Sequence, residues 1–148
     1  MSVGIYEIKK YDETLINNAL DKIFEDLKIN EKIKENMNVV LKPDLTIGNE
    51  SKDYTATNYL LIKLIAKRVM KLGAKVLVCD RTDGKFSLEN IEEEYKKLNV
   101  ADLEDAGISL NRNIEVQNVN LQFENETEKI EMIDVIKEAD YIINVPKL

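Results

Sequence analysis

Histidine is absent from the 148-residue sequence, and cysteine occurs only once, as Cys79. A single thiol excludes an internal disulfide, and without sets of Cys and His ligands a structural zinc site is excluded. A four-iron four-sulfur cluster normally takes four thiolates, so this chain cannot hold one alone. A bound metal would have to use oxygen ligands, as magnesium, calcium and manganese do. We therefore expect no cofactor and no metal site in this chain, and no acid–base catalysis by histidine.

Positive charge is in short supply relative to negative charge. The chain has 28 acidic and 21 basic residues, which gives a net charge of -7. Proteins that bind nucleic acid generally neutralise phosphates with a basic face, so this balance predicts no nucleic-acid partner. Hydrophobic residues make up 44% of the chain, which is enough to form a buried core.

Long apolar runs are also missing. The most apolar segment, Tyr59–Leu72, is interrupted by Lys63, Lys67, Arg68 and Lys71, so it is too short and too charged to span a bilayer. The N-terminus lacks a basic region followed by a long apolar stretch, which is the pattern of a signal peptide. We therefore expect a cytoplasmic protein without a membrane partner.

Short strand-like runs recur along the chain at roughly 25–40 residue intervals, the length of a strand plus a crossover helix. They are Val3–Ile8, Val39–Leu41, Lys75–Cys79, Ile114–Val119 and Tyr141–Val145. The pattern predicts a single α/β domain over residues 1–148. Its sheet would have about five strands and be mostly parallel and doubly wound, as in Rossmann- or flavodoxin-like proteins, with helices on both faces.

Helical periodicity fills most of the gaps between these runs. Helices are predicted from Asp12 or Thr14 to Leu27, from a threonine N-cap in Thr55–Asn58 to Gly73, from Ser87 to Leu98, in Ala101–Gly107 and in Ile133–Glu138. Alternating Leu121–Phe123 and Ile130–Met132 flank a polar stretch, which predicts a small hairpin outside the regular alternation.

Polar residues follow three of the predicted strands, at the edge where ligands bind in parallel sheets. A helix that begins near Thr55 and Thr57 would add N–H groups and hydroxyls suited to an anion. The candidate ligand-binding residues are Lys42, Asp44, Thr55, Thr57, Asp80, Asp83, Gly84, Asn144 and Lys147. They predict a small anionic ligand, and no residue is assigned a catalytic role.

A purely structural interpretation of the same residues stays open. Strand ends meet solvent in any α/β protein, and Asp80 with the residues after it could serve only turn and capping chemistry. Cys79 ends an apolar run and is predicted to be a buried core thiol. The dinucleotide-binding glycine fingerprint, the Walker A loop and the nucleophile elbow are all missing from the sequence.

Four segments resemble the domain of unknown function 362 (DUF362) family, in the order in which that family has them. They are Val39–Leu45, Thr55–Asn58, Leu72–Asp80 and Glu138–Leu148, of which the last is the most specific. Two departures stand out: the family usually has asparagine where this chain has Asp44, and the turn after Cys79 lacks the family's proline. The resemblance implies a redox-linked setting, with a four-iron four-sulfur cluster possible in the full-length family context.

Family members continue beyond the block that ends here at Leu148. From this we expect the chain to be the truncated N-terminal part of a longer domain, with its site incomplete. Self-association, or docking of the missing C-terminal half, is then expected. The alternative function is a non-catalytic scaffold that docks an iron–sulfur module or a partner protein.

Overall fold

A computed structural model describes residues 3–45, 56–81, 85–123 and 126–147. The helices are α1 (Glu13–Asp26), α2 (Ile29–Lys32), α3 (Tyr59–Lys71), α4 (Leu88–Lys97), α5 (Asp102–Asp105) and α6 (Asp134–Lys137). The strands are β1 (Asn38–Pro43), β2 (Lys75–Val78), β3 (Ser109–Leu110), β4 (Val116–Phe123), β5 (Glu126–Ile133) and β6 (Tyr141–Val145). No helix in these ranges is both long and apolar enough to cross a membrane.

A parallel sheet with strand order β3-β2-β1-β6 forms the centre of the fold. The chain adds β2 and then β3 on one side of β1, and later returns to place β6 on the other side. The direction in which the sheet grows therefore reverses between β1 and β6. In open α/β sheets such a reversal opens a crevice at the carboxyl ends of the two strands.

The two faces of the sheet have different coverings. Successive strand residues point to opposite faces, so Val39 and Leu41 lie on one face and Val40 on the other. On the first, here called the main face, the buried side chains of α1, α3 and α4 form the large core. On the second face, Val40 and Cys79 form a small cluster with Ile133, against which residues of α6 pack. The central strands are apolar on both faces for this reason.

The helix ends follow the predicted capping chemistry with one exception. Asp12 and Ser87 cap α1 and α4 as predicted. Gly73 follows α3 with φ of 84°, where a Cβ would come within 2.8 Å of the Glu35 side chain. The predicted threonine N-cap of α3 is wrong, because Asn58 accepts a hydrogen bond from the Leu60 backbone N–H at 2.9 Å.

The predicted first strand, Val3–Ile8, is wrong. These residues form no strand, and Val3 and Ile5 are 81% and 91% exposed. The Tyr6 hydroxyl donates a hydrogen bond to Asp26 at the end of α1. An alternating sequence favours extended backbone, but a strand also needs a neighbour that accepts its hydrogen bonds. This segment runs beside α1 without one among the described residues.

The predicted strand Ile114–Val119 is also misplaced, because these residues do not join the main sheet. β4 pairs with β5 in a separate antiparallel sheet of two strands, which confirms the predicted hairpin and extends it. The fourth strand of the main sheet is instead Ser109–Leu110, too short to show an alternating pattern. The described sheet has four strands rather than about five. A single domain over residues 1–148 stays a prediction.

Candidate functional site

Asp80 ties the carboxyl end of β2 to that of β1. Its Oδ1 accepts a hydrogen bond from Lys42 Nζ at 2.7 Å, and its Oδ2 accepts one from the Leu45 backbone N–H at 2.8 Å. The Asp80 side chain is only 7% exposed, whereas that of Lys42 is 41% exposed. Both carboxylate oxygens have partners within the protein, so the structural interpretation of Asp80 accounts for its position.

Thr57 makes the corresponding tie at the reversal between β1 and β6. Its hydroxyl accepts a hydrogen bond from the Asp44 backbone N–H at 2.9 Å and donates one to the Val145 carbonyl at 2.7 Å. The Thr57 backbone N–H donates to the Asp44 carbonyl at 2.7 Å. Three segments therefore meet at this one buried residue: the ends of β1 and β6 and the approach to α3.

A polar cleft of about 310 Å³ opens beside Thr57. We call it the switch-point cleft; its lining includes Tyr11, Thr57, Asn58, Lys97, Asn99 and Lys147. The ammonium of Lys147 lies 3.4 Å from the Tyr11 hydroxyl and 5.8 Å from the centre of its ring. Lys97 forms an ion pair with Glu93 one helical turn away.

The chemistry of the switch-point cleft favours anions. Asn58 and Tyr59, at the start of the 13-residue helix α3, lie in its wall. The N-terminus of a helix carries a partial positive charge, and the ammonium of Lys147 adds to this potential. Lys97 adds less, because it is paired with Glu93. The proximity of these groups is a tertiary effect, because Tyr11, Lys97 and Lys147 are far apart in the sequence.

A buried polar group that the sequence analysis missed lies at the carboxyl end of β3. The Asn111 backbone N–H donates to the Val78 carbonyl at 2.9 Å, and the Tyr95 hydroxyl donates to the Asn111 carbonyl at 2.7 Å. Asn111 was overlooked because β3 was not recognised. A short apolar pair, Ile108 and Leu110, followed by an asparagine is the signal that could have indicated it.

Cys79 lies next to this group and is fully buried, which confirms the predicted core thiol. Burial, with a smaller contribution from the negative charge of Asp80, raises the pKa of the Cys79 thiol to about 12. A thiol with so high a pKa stays protonated near neutral pH, and the thiolate is the nucleophilic form. The arrangement therefore gives no reactive cysteine.

Arg112 forms a third tie, this one at the surface. Its guanidinium donates to both carboxylate oxygens of Glu104 at 2.7 and 2.9 Å, and to Glu92 at 2.5 Å. These hydrogen bonds raise the pKa of Arg112 and lower that of Glu104. The chain just after β3 is thereby joined to α4 and α5.

The predicted site residues thus fall into separate groups. Lys42 pairs with Asp80 and lies opposite Asn144 in the strand register, on the second face. Asp44 is bonded through its backbone to Thr57, which shares the switch-point cleft with Lys147. Thr55, Asp83 and Gly84 lie outside the described residues. Within the described ranges, no cluster of three or more Cys, Asp and Glu side chains could hold a metal ion.

These features define a mixed α/β protein with a mostly parallel sheet and a separate antiparallel hairpin. A family model described as "Domain of unknown function (DUF362)" matches residues 39–148, which include the described strands of both sheets apart from Asn38 at the start of β1. The chain belongs to this family, which confirms the resemblance seen in the sequence. Neither the curated proteins nor the solved structures yielded a match.

Proposed function

We propose that this protein binds a small anionic ligand in the switch-point cleft. The observation that carries the proposal is the convergence of Lys147 and the start of α3 on one cleft beside the reversal of the sheet. Lys97 also lines the cleft, but its charge is partly offset by Glu93. Ligands of open α/β sheets bind at such reversals, and helix N-termini are common anion sites. We also propose that the sheet is doubly wound, because helix residues belong to the core clusters on both of its faces.

The roles of the predicted residues differ within this proposal. Lys147 contributes charge to the ligand, whereas Thr57 shapes the cleft because its hydroxyl already has two partners. Lys42 is largely neutralised by Asp80 at 2.7 Å, so it contributes less attraction for an anion than an unpaired lysine would. The cytoplasm is the compartment that we propose, on the grounds of composition alone.

Titration with inorganic phosphate and pyrophosphate, followed by NMR, tests the proposal. We expect the backbone amides of residues 57–61 to shift on titration, and Lys147→Gln to weaken pyrophosphate binding about tenfold, which corresponds to 1.4 kcal/mol. The matched control is Lys129→Gln, which removes the same charge from an exposed position in the hairpin. Equal affinities for the two variants, or no shifts in the wild type, would contradict the proposal.

A docking role is the second candidate, and an exposed apolar residue favours it. Ile142 of β6 is 45% exposed on the second face, next to buried Val40 in the strand register. Isolated apolar residues are common on surfaces, but this one extends a buried cluster at an edge strand. The candidate predicts self-association that Ile142→Lys abolishes in sedimentation equilibrium. The iron–sulfur association rests on the family resemblance and stays a prediction.

A further inference from the structure

The hairpin of β4 and β5 is a two-stranded ribbon that does not pair with the main sheet. Gln117 near its base bonds to Asp134 and Lys137 of α6, and Glu131 forms an ion pair with Arg81. The two strands pair with each other along their whole length, and their main contact with the other described elements is with α6. Ile133 anchors the base of the ribbon in the cluster on the second face. Two-stranded ribbons are marginally stable in water unless a further strand or a helix covers them.

One face of this ribbon carries an apolar stripe. Alternate residues of the two strands share a face, and the strand register brings their side chains together across it. The stripe consists of Val119, Leu121, Phe123, Ile130 and Met132. Phe123 is 54% exposed and the other four are half-buried. Among the described residues, none of the five packs against either core cluster.

Negative charge lies at the outer end of the same face. Glu128 is directly across from Leu121, and Glu126 is directly across from Phe123. Residues 116–133 contain four glutamates and one basic residue, Lys129. Lys129 and Glu131 lie on the opposite face, where Glu131 forms an ion pair with Arg81. The uncovered face is therefore apolar towards its base and acidic towards its tip.

The charges on this face favour one kind of binding partner for the apolar stripe over others. A second copy would bring glutamates against glutamates in a chain whose net charge is already -7, and like charges across an interface are costly. Nucleic acid and anionic membranes are repelled for the same reason. A protein segment with lysine or arginine next to aliphatic side chains fits both parts of the face.

We propose that the ribbon is a docking arm that takes an extended, basic and aliphatic segment of a partner protein as a third strand. The backbone of the added strand pairs with the exposed edge of β5, so that its side chains continue the same face of the ribbon. Its cations then lie beside Glu126 and Glu128, and its aliphatic side chains extend the apolar stripe next to Ile130 and Met132. This function is separate from the switch-point cleft, so the failure of either proposal leaves the other standing.

Binding of a synthetic peptide tests the proposal. The probe is a fluorescent peptide in which every second residue is threonine. The positions between the threonines carry two lysines followed by two valines. A control peptide has glutamates in place of the lysines. Polarisation measurements with the full chain should show binding of the lysine peptide alone. The double variant Glu126→Gln, Glu128→Gln should weaken that binding at least about tenfold by loss of the paired charges.

Two further variants separate docking from general attraction to an acidic protein. Glu31→Gln with Glu89→Gln removes the same charge from exposed positions in α2 and α4 and should leave binding unchanged. Leu121→Thr keeps every charge and should weaken binding, with far-UV circular dichroism used to check that the fold persists. Equal binding by all variants would overturn the proposal. A dimer of the wild type that Leu121→Thr dissociates would also overturn it, because the occupant would then be a second copy.

Discussion

Two parts of the carboxyl edge of the sheet differ in what their polar residues do. In one, here called the tied part, polar side chains are hydrogen-bonded between strand ends. In the other, the open part, they line a cleft. In the tied part, the side chains of Asp80 and Thr57 are buried, and their oxygen atoms are hydrogen-bonded to groups at the ends of β1 and β6. In the open part, Lys147 lines a cleft and contacts only the exposed Tyr11 in the hydrogen bonds described. Polar residues at one edge can therefore serve either stability or binding, and burial distinguishes the two roles.

The largest effect on stability is expected for Asp80→Ala. The change leaves the buried N–H of Leu45 without its acceptor and removes the partner of Lys42, which should lower the free energy of unfolding by about 2–4 kcal/mol. Urea unfolding measures this loss. Asp80→Asn keeps an oxygen for the Leu45 N–H and should lose less. If both variants were as stable as the wild type, the hydrogen bonds of Asp80 would not stabilise the fold.

Thr57→Val is expected to have the next largest effect. Valine has nearly the same shape but cannot accept from the Asp44 N–H or donate to the Val145 carbonyl, so the unfolding free energy should fall by about 1–3 kcal/mol. Thr57→Ser retains the hydroxyl and serves as the control in the same urea titration. If Thr57→Val were as stable as the wild type, the two hydrogen bonds of the Thr57 hydroxyl would contribute nothing to stability.

A smaller effect, seen as a change in stability with pH in the acid range, is expected at the exposed hydrogen bonds of Arg112. Hydrogen bonds from Arg112 lower the pKa of Glu104 below its ordinary value of 4.5 in the folded protein. The unfolded chain therefore binds the proton first, and the stabilisation present above pH 4.5 is lost as the pH falls through the lower folded pKa. Thermal unfolding of Glu104→Gln should depend less steeply on pH below 4.5 than that of the wild type. If the melting temperatures of the two proteins changed equally with pH, the pairing of Arg112 with Glu104 would contribute nothing to stability.

The smallest effect on stability is expected for Lys147→Gln in the open part. Surface substitutions of this kind usually change the unfolding free energy by less than about 0.5 kcal/mol. The same variant should nevertheless weaken pyrophosphate binding, as described above. A destabilisation as large as that of Asp80→Ala would place Lys147 among the ties and remove the distinction between the two parts of the edge.

The sequence predicts the parts of the fold that are buried on both sides. β1 and β2 are continuous apolar runs, which are typical of central parallel strands. β6 is also an apolar run, although it is an edge strand of the described sheet and Ile142 is exposed on the second face. β3 was missed because two residues cannot show a pattern. Val3–Ile8 was predicted wrongly because alternation indicates extended backbone and carries no information about a pairing neighbour.

The sequence predicts which edge of the sheet carries the candidate site residues, but not the contacts that these residues make. The rule for parallel sheets directs attention to Asp80 and Lys147 after strand ends, and the predicted helix start directs it to Thr57. That these residues bind a ligand stays a prediction. Hydrogen bonds between residues distant in sequence decide which of these are ties, as with the 2.7 Å bond from Thr57 to Val145. The contributions of Tyr11 and Lys97 to the cleft depend on the packing of α1 and α4, which local patterns do not specify.

The position of Thr57 means that a ligand bound in the cleft, as proposed, would stabilise the whole fold against unfolding. The residue that shapes the cleft wall also joins β1, β6 and the start of α3, so the cleft exists only while these elements remain together. A ligand that binds this folded arrangement and not the unfolded chain adds about 2.7 kcal/mol at a concentration one hundred times its Kd. A melting-temperature screen of small anions therefore tests the proposed ligand class, and the Thr57→Val variant should show a smaller shift with any compound that binds.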